Sequence, residues 1–154
     1  MGSIRLETLI HGPIERCFDL ARSVDAHLAS TAKTGERVVR GRTHGLLELG
    51  DSVTWEGRHF GLRLQQGSTV TRLERPHVFV DESTAGPLKS LRHVHQFVRE
   101  DEATLMVDTF EYELPAGAFG RLADRLLVER HLRAFLEERA AYVKAAAEGS
   151  GGSD

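Results

Sequence analysis

The sequence predicts an α+β domain in which a curved antiparallel sheet of about seven strands wraps around one long C-terminal helix. Three observations predict it. Between Gly35 and Leu114 the apolar residues recur with a period of two, in short stretches punctuated by Gly, Pro, Asp and Glu. After Pro115 the spacing turns helical for roughly thirty residues. Ahead of the strand-like region, "PIERCFDLARS" places Ile14, Cys17, Phe18 and Ala21 at helical steps of three and four.

The elements follow in order. "SIRLETLIHG" alternates as a first strand with Ile4, Leu6, Thr8 and Ile10 on one face, and Gly12 and Pro13 stop it. Pro13 suits the first turn of the short helix after it. Ser23 caps a second short helix, "VDAHLASTA", with Val24, His27 and Leu28 facing one way. The strands are then "ERVVRGR", "DSVTWEGRHF", "STVTRLERP", "HVFVDEST", "SLRHVHQFV" and "ATLMVDTFEYEL". Short connections make them a meander of hairpins. Such a sheet is managed by curving or closing it. The terminal helix carries Phe119, Leu122, Leu126, Leu132, Phe135 and Leu136 as an apolar stripe, opposed by Arg and Glu. One domain over residues 1–148 and a polar, flexible tail at 149–154, "GSGGSD" after Glu148, account for the chain.

Composition narrows the function. With 154 residues, 40% hydrophobic, 28% charged and a net charge of −3, the chain is an ordinary globular protein with no field to recruit nucleic acid or anionic membrane. No apolar run reaches the ~20 residues of a membrane span, so stable membrane insertion is not expected. The single cysteine, Cys17, is expected as a small buried filler and fits a reducing cytoplasm. No nucleotide loop, zinc-protease helix or nucleophile elbow occurs, and no cofactor is expected. Oligomeric state is left open, a homodimer included.

"SLRHVHQFV" is the informative stretch. Leu91, His93, His95 and Phe97 share a face that Leu91 and Phe97 require to be buried. Pairing this strand with "ATLMVDTFEYEL" around a Glu100–Asp101 turn sets Phe97 opposite Thr104, His95 opposite Met106, His93 opposite Asp108 and Leu91 opposite Phe110. On the other side, a hairpin through "AGPLK" sets Asp81 opposite His93 and Phe79 opposite His95. The histidines therefore gain carboxylate neighbours. Three readings of this interior follow: a satisfied hydrogen-bond network, the polar end of a ligand cavity, or a general base made of His93 oriented by Asp108. The cavity would take its walls from Trp55, Phe79, Phe97, Met106 and Phe110 and its polar anchors from His93, His95, Asp81 and Asp108, with His59 at hand. His-x-His with His59 and Asp108 could also ligate a metal, but no further ligand pair supports this and no metal is expected. Gly57, in the middle of "VTWEGRHF", signals a bend or the close approach of another group. His11, His27, His44, His77 and His131 are expected at the surface or in local packing.

The element order, together with "VTWEGRHFG", "FVDESTAGPLKSLRHVHQF" and "TLMVDTFEYELPAGAFGRLADRL", resembles the helix-grip fold of the START/Bet v 1-like (SRPBCC) superfamily over nearly the whole chain. The bacterial members it is most similar to are those described as coenzyme Q-binding-like or polyketide cyclase/dehydrase-like. That resemblance implies a small-molecule partner, of lipid, isoprenoid, quinone or aromatic polyketide type, held between sheet and helix. The alternatives it leaves are a cyclase/dehydratase-type enzyme and an interaction domain with a filled core.

Overall fold

The structure, a computed structural model, describes residues 1–115 and 122–149, with the backbone alone for 122–124. Its elements are β1 (Gly2–Ile10), α1 (Ile14–Ala21), α2 (Val24–Ser30), β2 (Arg37–Gly41), β3 (Ser52–His59), β4 (Leu62–Glu74), β5 (Val78–Ala85), β6 (Ser90–Glu100), β7 (Ala103–Glu113) and α3 (Leu122–Gly149). The seven strands form one antiparallel sheet in the order β1-β7-β6-β5-β4-β3-β2. Everything from β2 to β7 is a meander, and β1 closes onto the last strand. The long α3 runs 28 residues, about 42 Å at helical rise.

Local chemistry explains the element boundaries. Pro13 stands as the cap of α1, and the Ser23 side chain accepts a hydrogen bond from the Ala26 backbone N–H at 3.1 Å, which opens α2. Ile4 and Ile10 of β1 are buried while Arg5 and Glu7 are exposed, the alternation of a half-buried strand. β4 begins at Leu62, six residues before the stretch that its alternation announces, because Phe60 and Gly61 both take positive φ and turn β3 directly back on itself.

The β6–β7 register differs from the expectation by two residues. Phe97 pairs with Met106, His95 with Asp108, His93 with Phe110 and Leu91 with Tyr112. Asp101 adopts φ 54°, a left-handed conformation that aspartate tolerates, so the turn is made by Asp101 and Glu102 and the strands close at Glu100 and Ala103. A slip of two leaves every side chain on its expected face. The β5–β6 pairing places Phe79 opposite His95 and Asp81 opposite His93, as the pattern implies.

The interior contains two apolar clusters. One gathers α1, the middle strands and the C-terminal half of α3 around Phe18, Phe79, Phe97 and Met106. Phe18 meets both Phe79 and Phe97 edge-on, with ring centroids 5.3 and 5.4 Å apart. Cys17 is fully buried in this cluster as a free thiol. The other cluster joins Ile4, Leu91, Phe110 and Tyr112 to Val128 and Leu136 of α3.

The stripe of α3 departs from expectation at one position: Leu126 is 53% exposed. The buried line runs instead through Val128, Leu136, Ala140, Val143 and Ala147. Alanines carry the C-terminal half because α1 packs closely there, a role that a hydrophobicity pattern under-reads. Phe119 and the side chain of Leu122 lie outside the described residues.

Candidate functional site

Strand alternation alone brings the central polar residues inside. On β6 the buried face reads Leu91, His93, His95, Phe97, so the two imidazoles fall between the residues that anchor the two apolar clusters. Asp108 does the same on β7 between Met106 and Phe110, and Asp81 lies on β5 two residues from Phe79. The result is a polar belt across the middle of the sheet.

The His93–Asp108 and His95–Asp81 contacts run diagonally between strands, whereas His95 and Asp108 are direct cross-strand partners. His95 donates from Nε2 to Asp81 Oδ2 at 2.9 Å, and its Nδ1 lies 3.0 Å from Asp108 Oδ1. His93 Nε2 donates to the same Asp108 oxygen at 3.0 Å. The rings of His93 and His95 lie 3.7 Å apart, and His95 stacks on Phe79 at 4.0 Å. An imidazole set between two carboxylates is favoured in its protonated form. For His95, burial pushes the pKa down, but the hydrogen bonds to Asp108 and Asp81 outweigh it and the pKa is raised. For His93, burial and the neighbouring His95 charge together lower it despite Asp108. Burial pushes Asp108 up, yet the bonds from His93 and His95 hold it far below the usual carboxylate range; Asp81 is lowered in the same way by His95. The belt thus sets two carboxylates against two imidazoles whose pKa values are driven apart, His95 upward and His93 downward.

Asp81, His93 and His95 offer ligand-type atoms within 4.8 Å of one another. In the same cluster His95 Nε2 is hydrogen-bonded to Asp81, and its Nδ1 is 3.0 Å from Asp108. His59, which the sequence would have added to a metal set, lies elsewhere: its Nε2 donates to Glu36 Oε1 at 3.1 Å and its Nδ1 meets His131 Nε2 at 2.7 Å.

Beside the belt, between the sheet and α3, is a cavity of about 170 Å³. Of the expected site residues, Trp55, His59, Asp81, His93 and Phe110 line it. His95, Met106 and Asp108 instead border a small void of about 20 Å³, which His93 also touches. Phe79 and Phe97 are packed in the apolar cluster with Phe18 and form no part of the cavity wall. The cavity is otherwise mainly apolar, with Leu88, Leu91, Val128, Leu132 and Leu136 facing it. At its edge Phe60 and His131 bring the β3–β4 turn against α3, their rings 4.4 Å apart.

His27, Glu36 and Arg139 line the cavity without having been expected there. His27 of α2 lies flat on Trp55, centroids 3.6 Å apart, and burial pushes its pKa well below the usual value. The Glu36 carboxylate crosses over Gly57, where a β carbon would sit 2.6 Å from its carboxyl carbon; that close approach accounts for the mid-strand glycine. Arg139 reaches the cavity from α3 and also borders the small void. Burial lowers its pKa against the pull of Asp81 and Asp108. Helical spacing could have flagged Arg139, since it precedes Ala140 on the buried side; the Arg-rich face around it conceals the signal.

No family model matches the chain, and no curated protein matches it. Solved structures do. TTHA0849 from Thermus thermophilus is 22% identical, with a TM-score of 0.74 over 96% of this chain and 100% of that one. A START superfamily protein from Mycobacterium smegmatis is 11% identical, with a TM-score of 0.68 over 94% and 96%. The ginseng major latex-like protein 151 from Panax ginseng is 15% identical, with a TM-score of 0.67 over 95% and 97%. The chain therefore has the START/Bet v 1-like helix-grip fold, a curved sheet holding a long terminal helix. Among the described residues, no helix is long and apolar enough to cross a membrane.

Proposed function

We propose that the protein binds a small, mostly apolar molecule in the cavity between the sheet and α3. The observation that carries this is the cavity itself: about 170 Å³ of space, walled by hydrocarbon and aromatic side chains and edged by the polar belt. Space of this kind stabilises nothing in the unliganded protein, because its lining forfeits dispersion contacts. Its size favours a molecule built on one ring. An apolar cavity of roughly 150 Å³ takes up benzene, whereas drug-sized sites run from roughly 300 Å³ upward. Of the ligand types that the fold resemblance suggests, a single aromatic or quinonoid ring fits whole, while a long isoprenoid or a polycyclic polyketide would enter with one ring only. A reducing cytoplasm suits the single buried thiol of Cys17.

Chemical-shift perturbation with ethylbenzene and phenol tests the proposal. Shifts confined to Trp55, Phe110 and the α3 residues facing them are expected, and Leu132→Trp, which fills the cavity, should abolish them. Saturating probe with no shifts, or shifts indifferent to Leu132→Trp, would overturn it.

One observation favours a second, enzymatic reading. His93 has its pKa lowered by burial and by His95, is hydrogen-bonded through Nε2 to Asp108, and lines the cavity, the arrangement of a general base. Turnover of a ring-forming or dehydrating substrate, lost on His93→Gln while ligand binding persists, would distinguish an enzyme from a carrier.

A further inference from the structure

Two buried nitrogens of residues that line the cavity lack hydrogen-bond partners, Arg139 Nε and His27 Nε2, each covered by neighbouring protein atoms. One comes from α3 and one from α2. Buried polar atoms are nearly always paired, and an unpaired one attached to a cation costs the most, so each exception asks for an explanation. The carboxylates nearest in charge to Arg139 do not supply one. Asp81 and Asp108 are taken up by His95, and no ion pair reaches the guanidinium among the described residues.

We infer that Arg139 and His27 form the polar end of the ligand site and receive an uncharged acceptor oxygen, the carbonyl of a ring-sized ketone, aldehyde or quinone. This rests on the proposed cavity function and names the ligand class. An acceptor is required because the guanidinium can only donate, and the neutral His27 imidazole donates from Nε2 in one of its two tautomers. The lack of charge follows from counting. The Asp81 and Glu36 carboxylates already line the cavity and Asp108 borders the adjoining void, with Arg139 set among them. A ligand carboxylate would bury a further negative charge beside Asp81 and Glu36, both of which line the same cavity. A carbonyl oxygen supplies the missing acceptor and adds no charge. The ring of such a ligand would lie among Leu91, Phe110, Leu132 and Leu136.

Three probes of one shape separate the outcomes: acetophenone, ethylbenzene and benzoate, each titrated by NMR or calorimetry. Acetophenone should bind about tenfold more tightly than ethylbenzene, the usual worth of a hydrogen bond to a charged donor. Benzoate should bind more weakly than acetophenone. Arg139→Met should bring acetophenone down to the level of ethylbenzene without weakening ethylbenzene itself, and Arg139→Lys should restore part of the preference. His27→Phe keeps a ring on Trp55, removes Nε2, and should lose part of the preference as well. The wild-type comparison stands even if a variant fails to fold. Ethylbenzene binding as tightly as acetophenone would overturn the acceptor site while leaving the cavity function intact, and benzoate binding best would overturn the neutral class. Binding of none of the three would overturn the cavity function with it.

Discussion

Asp108 is the residue on which the polar belt turns, because one of its oxygens lies 3.0 Å from both His93 Nε2 and His95 Nδ1. Removing one member of a buried charged network leaves the others uncompensated, typically at a cost of about 3–5 kcal/mol. Asp108→Asn should lose stability on that scale in denaturant unfolding; a loss under ~1 kcal/mol would mean that the belt is not held by charge. The histidines also fix how stability depends on pH. His27 and His93 have lowered pKa values, so the unfolded chain binds more protons than the folded one below the ordinary imidazole value, and stability declines as pH falls from about 6 to 5. His95 is raised, so its contribution is complete below about 6.5 and is lost as pH rises through its folded value. The lowered Asp81 and Asp108 add stability above about 3.9 that is lost as pH falls through their folded values. The thermal midpoint should therefore peak near neutrality, and His27→Phe should flatten the limb between pH 6 and 5. An unchanged limb in that variant would show that His27 is not buried as the neutral base.

At the scale of the element, β3 and α3 are shaped by what crosses between them. Gly57 leaves room for the Glu36 carboxylate, which pairs with His59 on the same strand. Gly57→Ala should displace Glu36 and destabilise by about 1–3 kcal/mol. The double variant Gly57→Ala, Glu36→Ala should lose less than the sum of the two single changes, a coupling that a double-mutant cycle measures. On α3, Leu136 is 4% exposed at the junction of the apolar cluster and the cavity. Leu136→Ala should cost about 2–5 kcal/mol in urea unfolding and enlarge the ligand space. The elements themselves were legible in the sequence because period two and helical spacing are direct consequences of backbone geometry, as "SLRHVHQFV" and "PIERCFDLARS" illustrate. The β6–β7 register was not, because a single left-handed residue, Asp101, decides where the turn sits. Nor was the buried edge of α3, where small alanines replace the larger apolar residues that a pattern registers.

For the whole molecule, the belt and the cavity are one arrangement. Strand alternation made His93, His95, Asp81 and Asp108 readable as inward-facing neighbours of one another. Glu36, His27 and Arg139 come from outside the central strands, and only the closing of α2 and α3 over the sheet brings them to the same space. Long-range assembly of that kind leaves no local spacing to recognise. A ring-sized ligand that binds the folded state alone should raise the thermal midpoint in proportion to the logarithm of its concentration above Kd, by about 2–4 °C per kcal/mol of linkage for a chain of this size. Acetophenone at a hundred times its Kd should therefore shift the melt by several degrees, and a melt insensitive to it would count against occupancy of the cavity.

The band of ionised and imidazole side chains lying between two oily regions keeps the centre of this domain from fusing into a single hydrocarbon interior. Swapping that band for well-packed aliphatic residues would be expected to yield a sturdier molecule, since desolvated ion pairs seldom outperform hydrocarbon of equal volume. Such a molecule would have closed the room beside the band. Resistance to heat and possession of a binding chamber are therefore opposed in this chain, and selection for thermostability alone should erase the chamber first.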